Sequence, residues 1–249
     1  MPRLVAAVLL SLPLQAAARE TLIPRSELPG LGPEDPRRSV DSDVIPWSAL
    51  GRVQTELGGR CTGTLIGPQT VLTAAHCLVA PRAGGWVRAS SVHFLLGYRQ
   101  GRWRAEGRAS AFAVSPDFDP RARSPGAADW ALVTLTAPLA PDATPMPLLR
   151  ENALPDTPLM LGGYQQDRPE LLMADGACRV LGLGRQESGP VLIHNCAGTR
   201  GASGAPLLAR RPDGGWAVAG VAVAVSRSRA QGIAVPSAVL RRVLEERGE

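Results

Sequence analysis

From Gly51 to Pro236 the chain is cut into short apolar, β-branched runs, each closed within a few residues by glycine, proline or a small polar cluster. That punctuation is the tightest constraint on the fold. A helix needs apolar residues at i, i+3, i+4 and i+7 over several turns, and almost no stretch supplies them. With 27 glycines and 23 prolines among 249 residues, strands joined by turns are favoured over a helical bundle. The runs Gly51–Thr55, Cys61–Ile66, Thr70–Thr73, Val92–Leu96, Trp103–Ala105, Ala109–Val114 and Trp130–Leu135 read as strands, with turns at Gly58-Gly59, Gly67-Pro68 and Ala83-Gly84-Gly85. After the proline-rich stretch Ala137–Pro147, a stiff crossover, come Pro158–Gly162, Leu171–Val180, Val191–Asn195, Ala205–Ala209, Trp216–Val225 and Ile233–Pro236. Short strands at this spacing argue for an all-β barrel or sandwich in two halves, 44–140 and 141–249. The exception is the end. Ser237 stands where an N-cap is expected, and Val239, Leu240, Val243 and Leu244 make one apolar stripe of a helix.

Residues 1–18 read as a secretory signal: Arg3, the apolar run Leu4–Leu14, then Ala16-Ala17-Ala18. The run is shorter than the ~20 residues that span a bilayer, so no stable membrane anchor is expected. Residues 19–43, rich in Pro, Arg, Asp and Glu, read as a pro-segment or flexible arm, with Arg37-Arg38 as a processing site and order beginning at Val44. The net charge of +5 rests on arginine alone, since the chain has no lysine. The arginines are scattered without a basic stripe, which argues against a nucleic-acid partner.

Four cysteines in an exported chain imply two disulfides. Local pairing, Cys61 with Cys77 and Cys178 with Cys196, would close two loops of similar length, but the residues alone leave all three connectivities open. Cys77 adjoins His76 and no C-x-x-C occurs, so zinc spacing is absent; no metal or cofactor is expected.

Three short stretches carry chemistry. Leu72-Thr-Ala-Ala-His76-Cys77 ends a strand in a turn with one histidine at its tip. Asp129 precedes the apolar strand Trp130–Leu135, so its carboxylate is partly buried and needs a hydrogen-bonding partner. Ser203 lies in Gly201-Ala-Ser-Gly204-Ala-Pro206, where glycine permits a sharp turn and lets the Gly201 and Ser203 N–H groups converge on one point. A nucleophilic serine needs a base, and the base needs a carboxylate to fix its tautomer. Each feature alone is an ordinary turn or strand end; the three together are specific. His194 and His93 have no partner in the sequence and read as a structural or pocket-wall residue and as a strand residue.

These three stretches resemble the motifs of the chymotrypsin/trypsin-like serine peptidases, and the likeness runs from about Val44 to the C-terminal helix. The short second half is most similar to the bacterial secreted, V8-like glutamyl endopeptidase branch. The resemblance implies two six-stranded antiparallel β-barrels with a short C-terminal helix, the site lying between them. His76 would be the general base, Asp129 its orienter and Ser203 the nucleophile, with Gly201 and Ser203 forming the oxyanion hole. It supports a Cys61–Cys77 staple on the histidine loop and says less about Cys178–Cys196. It also implies a protein or peptide substrate and a monomeric, secreted or periplasmic enzyme.

The sequence departs from that pattern in places. Ala202 stands where animal members keep the acid that pairs with a new N-terminus after activation. The substrate pocket would run along Ala197-Gly198, Ala222-Val223 and Val225. Ala197 has no charge for Arg or Lys, and Ala222 replaces the histidine expected for Glu. A small or medium apolar P1 residue follows, with Arg227 and Arg229 as the cations that could instead draw an acid. Two other readings are a catalytically silent, peptidase-like binding protein and an esterase. The order His, Asp, Ser and the lack of alternating helices are unlike the α/β-hydrolase arrangement.

Overall fold

The computed structural model describes residues 23–24, 27–80, 82–124 and 126–248. The segment 1–18, expected to be a signal, lies outside them. Thirteen strands and one α-helix are described. β1 (Arg38–Ser39) is followed by β2 (Leu50–Thr55), β3 (Arg60–Leu65), β4 (Thr70–Thr73), β5 (Val92–Leu96), β6 (Ala105–Val114) and β7 (Ala131–Leu135). Strands β2 to β7 close an antiparallel barrel in the order β2-β3-β4-β7-β6-β5. The two runs around Ala105 and Ala109 form one strand, β6, because its register against β7 shifts between Ala109 and Ala111 without breaking the ladder. Leu50, Leu65, Leu72, Phe94, Leu96, Leu132 and Leu135 are all buried in this half. Full burial of each contributes about 2 kcal/mol relative to leaving it in water.

The second half holds β8 (Pro158–Gln165), β9 (Arg168–Gln186), β10 (Gly189–His194), β11 (Pro206–Arg210), β12 (Trp216–Val225) and β13 (Gly232–Pro236). The sheet runs β1-β9-β10-β13-β12-β11-β8, and β8 pairs back to β9, so six strands form a second ring with β1 added outside it. The core here is made of smaller side chains, among them Ala205, Ala209, Ala217, Ala219 and Ala234 around Leu161, Leu192 and Leu207. Residues on alternate positions of the same strands, such as Val221 and Val235, belong instead to the core that continues into the first barrel. That alternation joins the two rings through a shared core.

The helix α1 (Ser237–Arg247) buries Leu240, with Val239, Val243 and Leu244 packed on the same core. Its N-cap is Pro236, not Ser237. The Ser237 hydroxyl donates to the Leu149 carbonyl at 3.2 Å, so it ties the helix to the crossover instead of capping its own first turn. Among the described residues no helix is long and apolar enough to cross a membrane.

The arm requires a correction as well. Order does not begin at Val44: Leu28 and Leu31 are buried against Ala197, and Arg38–Ser39 pairs with Met173–Ala174 of β9. Arg37 is 2% exposed, which puts one half of the presumed processing pair inside the protein. Residues 28–40 thus pack on the second half, Val40 N donating to the Leu172 carbonyl, whereas the Ser42 hydroxyl donates to the Gly97 carbonyl of the first. The charge that matters here is Arg37, which is buried and paired with Asp35 and Asp167, while Glu27, Glu34, Arg38, Asp41 and Asp43 stay exposed.

Candidate active site

His76 and Asp129 sit on two short turns of the first barrel. β4 ends at Thr73 and runs into a 3-10 turn, Ala75–Leu78, in which Ala75, Cys77 and Leu78 are buried and the histidine stays partly exposed. A second 3-10 turn, Gly126–Ala128, leads to Asp129 directly before β7, the strand that pairs with β4. The neighbouring strands therefore deliver both residues to one edge. Asp129 is buried, and both of its oxygens are used: Oδ1 accepts from the His76 backbone N–H at 2.9 Å and Oδ2 faces His76 Nδ1 at 2.6 Å. An acceptor-only carboxylate against Nδ1 keeps the proton on that nitrogen and leaves Nε2 to accept.

Two disulfides are formed, Cys61–Cys77 and Cys178–Cys196. The first joins β3 to the residue after His76. Closing a loop of this length stabilises by about 3 kcal/mol in the chain-entropy account. Cys61, His76 and Cys77 come within 4.8 Å of one another, but the two sulfurs are bonded to each other and supply no thiolate for a metal.

Ser203 comes from the second barrel, in the loop between β10 and β11. Its carbonyl accepts from Thr62 N at 2.9 Å and lies 3.8 Å from Cys77 Sγ, which brings the serine beside the histidine turn. Gly204 makes that approach feasible. Its φ is +80°, and an added Cβ would lie 2.2 Å from Thr73 Oγ1 and 2.3 Å from the Thr62 carbonyl. Gly201 is equally constrained, with φ +93° and the Tyr164 carbonyl 2.3 Å from where a Cβ would be. The Arg200 carbonyl accepts from Gln166 N at 2.7 Å. In a trans peptide C=O and N–H point opposite ways, so the Gly201 N–H is turned away from Gln166. Among the described residues neither this N–H nor that of Ser203 donates a hydrogen bond, and the Ser203 hydroxyl also makes none.

A cavity of about 270 Å³ beside Ser203 is lined by Pro29, Leu161, Thr199, Ala202, Ala222–Val225 and the two cations Arg200 and Arg227. Ala222, Val223 and Val225, expected along the substrate pocket, line this cavity. Ala197 and Gly198 do not line the cavity: Ala197 is fully buried against Leu28 and Leu31, and the Gly198 N–H donates to the Gly30 carbonyl at 3.1 Å. The arm covers them. His194 is wholly buried, its Nδ1 accepting from Cys196 N at 3.1 Å while Nε2 has no partner among the described residues. Burial pushes its pKa down to about 4. His93 lies on β5 in a surface pair with Glu106.

Several residues that shape the serine loop had no signal in the sequence. Asp175 Oδ2 accepts from Ala197 N at 2.8 Å, Gln165 Oε1 from Thr199 N at 2.8 Å, and the Thr62 hydroxyl donates to the Gly201 carbonyl at 2.9 Å. Each acts from a distant stretch of chain on one loop.

The family model for trypsin matches residues 37–244. The structure is similar to that of a Glu endopeptidase in complex with MPD, with a TM-score of 0.71 and 17% identity over 88% of this chain and 100% of that one. It is also similar to the protease Anisep from Arthrobacter nicotinovorans, with a TM-score of 0.63 and 19% identity over 84% of this chain and 97% of that one. Among curated proteins, serine protease 56 of Mus musculus is 32% identical over 197 residues, 70% of this chain and 31% of that protein. The glutamyl endopeptidase of Bacillus licheniformis is 32% identical over 62 residues, 25% of this chain and 19% of that protein. The chain thus spans about a third or less of the curated relatives it matches. By the extent of the family match, and with the two-barrel fold in agreement, the chain belongs to the trypsin family.

Proposed function

We propose that the protein is an exported serine endopeptidase that hydrolyses peptide bonds through an acyl-enzyme. The observation that carries this reading is the double grip of Asp129 on His76, which leaves Nε2 as the one ring nitrogen able to take a proton from Ser203. Ser203 Oγ attacks the scissile carbonyl as His76 Nε2 takes its proton. The oxygen of the tetrahedral intermediate is held by the unspent N–H groups of Gly201 and Ser203, each worth about 3–4 kcal/mol of transition-state stabilisation. The imidazolium then protonates the leaving amine, and water repeats the sequence to release the acid. Two disulfides fit an oxidising compartment, in agreement with the signal-like first 18 residues.

For specificity, the apolar wall of Leu161, Ala222, Val223 and Val225 favours a small or medium apolar P1 side chain. The second reading rests on Arg227, which borders the same cavity and would draw an acidic side chain. Cleavage of a peptide library by wild type and by Ser203→Ala tests both parts. Turnover lost in the variant, with apolar residues dominating P1, is the expected result. A profile dominated by Glu or Asp transfers specificity to Arg227, and equal turnover by the variant removes Ser203 as the nucleophile.

A further inference from the structure

Among the described residues Arg37 makes five side-chain hydrogen bonds, and nothing in the reaction above uses it. Its guanidinium is fully buried and all five donors are satisfied. Nε and one terminal nitrogen bind the two oxygens of Asp35 at 2.8 and 2.9 Å. The terminal nitrogens also bind both oxygens of Asp167, at 2.7 and 3.1 Å. The fifth bond, at 2.6 Å, goes to Gln165 Oε1. Burial opposes the charge, but the hydrogen bonds to Asp35 and Asp167 outweigh it and hold the guanidinium above its ordinary range. Such a cluster is a poor route to stability, since apolar packing of the same volume often does as well. Its geometry has another consequence.

Gln165 Oε1 has two lone pairs. One takes Arg37 and the other takes the Thr199 N–H at 2.8 Å. Arg37 has donors only, so it fixes which way the Gln165 amide faces: turned over, the amide would set its NH2 against the guanidinium and against Thr199 N–H. The adjacent residue, Gln166, holds the serine loop at two further points, Nε2 on the Thr199 hydroxyl at 3.0 Å and its N–H on the Arg200 carbonyl at 2.7 Å. That last bond sets the orientation of the Arg200–Gly201 peptide. Gln165, Gln166 and Asp167 form the tip of the β8–β9 hairpin, and Arg37 grips it from both sides.

We propose that Arg37 is a positioning residue for the oxyanion-hole loop, acting through the β8–β9 hairpin tip, and that segment 28–39 is a permanent brace of the site rather than a removable arm. The proposal rests on the peptidase reading for its link to catalysis, while the brace itself is a structural claim. Gly30 supports the same loop from behind through Gly198, so the segment holds it at both ends.

The test compares full-length wild type with Arg37→Lys, Gln165→Met and the double variant, each first shown to melt cooperatively. Lysine keeps the charge but lacks the five-donor fork. Two quantities are read: kcat and KM on a peptide the wild type cleaves, and hydrogen exchange of the amides in 196–204. The expected result is a kcat lower by about tenfold with KM within twofold, faster exchange in the loop, and a double variant no worse than the worse single one. A folded variant with wild-type kcat, or with KM alone raised, overturns the proposal. If Arg37→Lys does not fold, Gln165→Met carries the same decision. A wild type that cleaves nothing refutes the peptidase reading instead, and the exchange data then decide the brace: unchanged protection overturns it and faster exchange sustains it.

Discussion

In the first barrel, His76 and Asp129 sit on two 3-10 turns at the ends of paired strands, with a disulfide one residue from the histidine; one contact from the second half is added, the Gln186 Oε1 that accepts from Ala127 N at 2.8 Å. In the second barrel, Ser203 is placed by residues far from it. Thr62, Gln165, Asp175 and Gly30 each hold the backbone of its loop, and Arg37 holds Gln165. His76 is therefore held mostly by nearby chain and a short disulfide loop, whereas Ser203 and the Gly201 N–H depend on an assembly of non-local hydrogen bonds. Damage to the Asp129–His76 pair should fall mainly on the proton transfer. Damage to the second should affect geometry, stability and catalysis together.

Three substitutions probe that contrast. The largest effect is expected for Asp129→Asn. The amide keeps the shape but favours the wrong histidine tautomer, so kcat should fall by about 10⁴ with little change in melting temperature. A loss of stability as large as the loss of rate would show that the first half is not an independent support. Gly204→Ala should act in the opposite way. Its Cβ would meet Thr73 Oγ1 and the Thr62 carbonyl where φ is already +80°, so stability should drop by about 3 kcal/mol or more, together with activity. Denaturant titration checks it, and a stable variant would mean the serine loop is freer than its contacts imply. The smallest effect concerns His194, buried behind the second barrel's disulfide. Its pKa is lowered from about 6.5 unfolded to about 4 folded, so above pH 6.5 both states are neutral and it contributes no pH dependence. As pH falls toward 4 the unfolded chain takes up a proton that the folded one refuses, and stability is lost, by about 2 kcal/mol at pH 5 relative to neutral pH. His194→Gln should flatten that part of the stability–pH curve, as measured by urea midpoints from pH 7 to 4.5.

The same contrast explains what could be read from the sequence. Leu72–Cys77 and Asp129–Leu132 are contiguous stretches whose turn and strand signals carry their own geometry, and both lie where they were expected. β4, β5 and β12 begin and end at the expected residues because each is a nearly continuous buried apolar run with glycine or proline close to one end. Ser203 was visible through its flanking glycines, but its supports were not. Gln165 has no local pattern that marks an amide aimed at a loop 34 residues away. Arg37 differs from its expected exposure for a related reason: charge density suggests solvation unless its second partner carboxylate, 130 residues away, is known. Ala197 and Gly198 followed the same course, since their place behind the pocket wall is set by an arm that the sequence presents as loose. Ser237 shows the limit at finer scale, where a residue suited to capping is drawn to a carbonyl of another segment.

The central claim is that Ser203 is an activated nucleophile beside an oriented histidine. Intact-mass analysis after exposure to a fluorophosphonate probe tests it most directly, with Ser203→Ala measured in parallel. The account predicts a single adduct on the wild type and none on the variant. No adduct on a folded wild-type chain, or an equal adduct on Ser203→Ala, would contradict it.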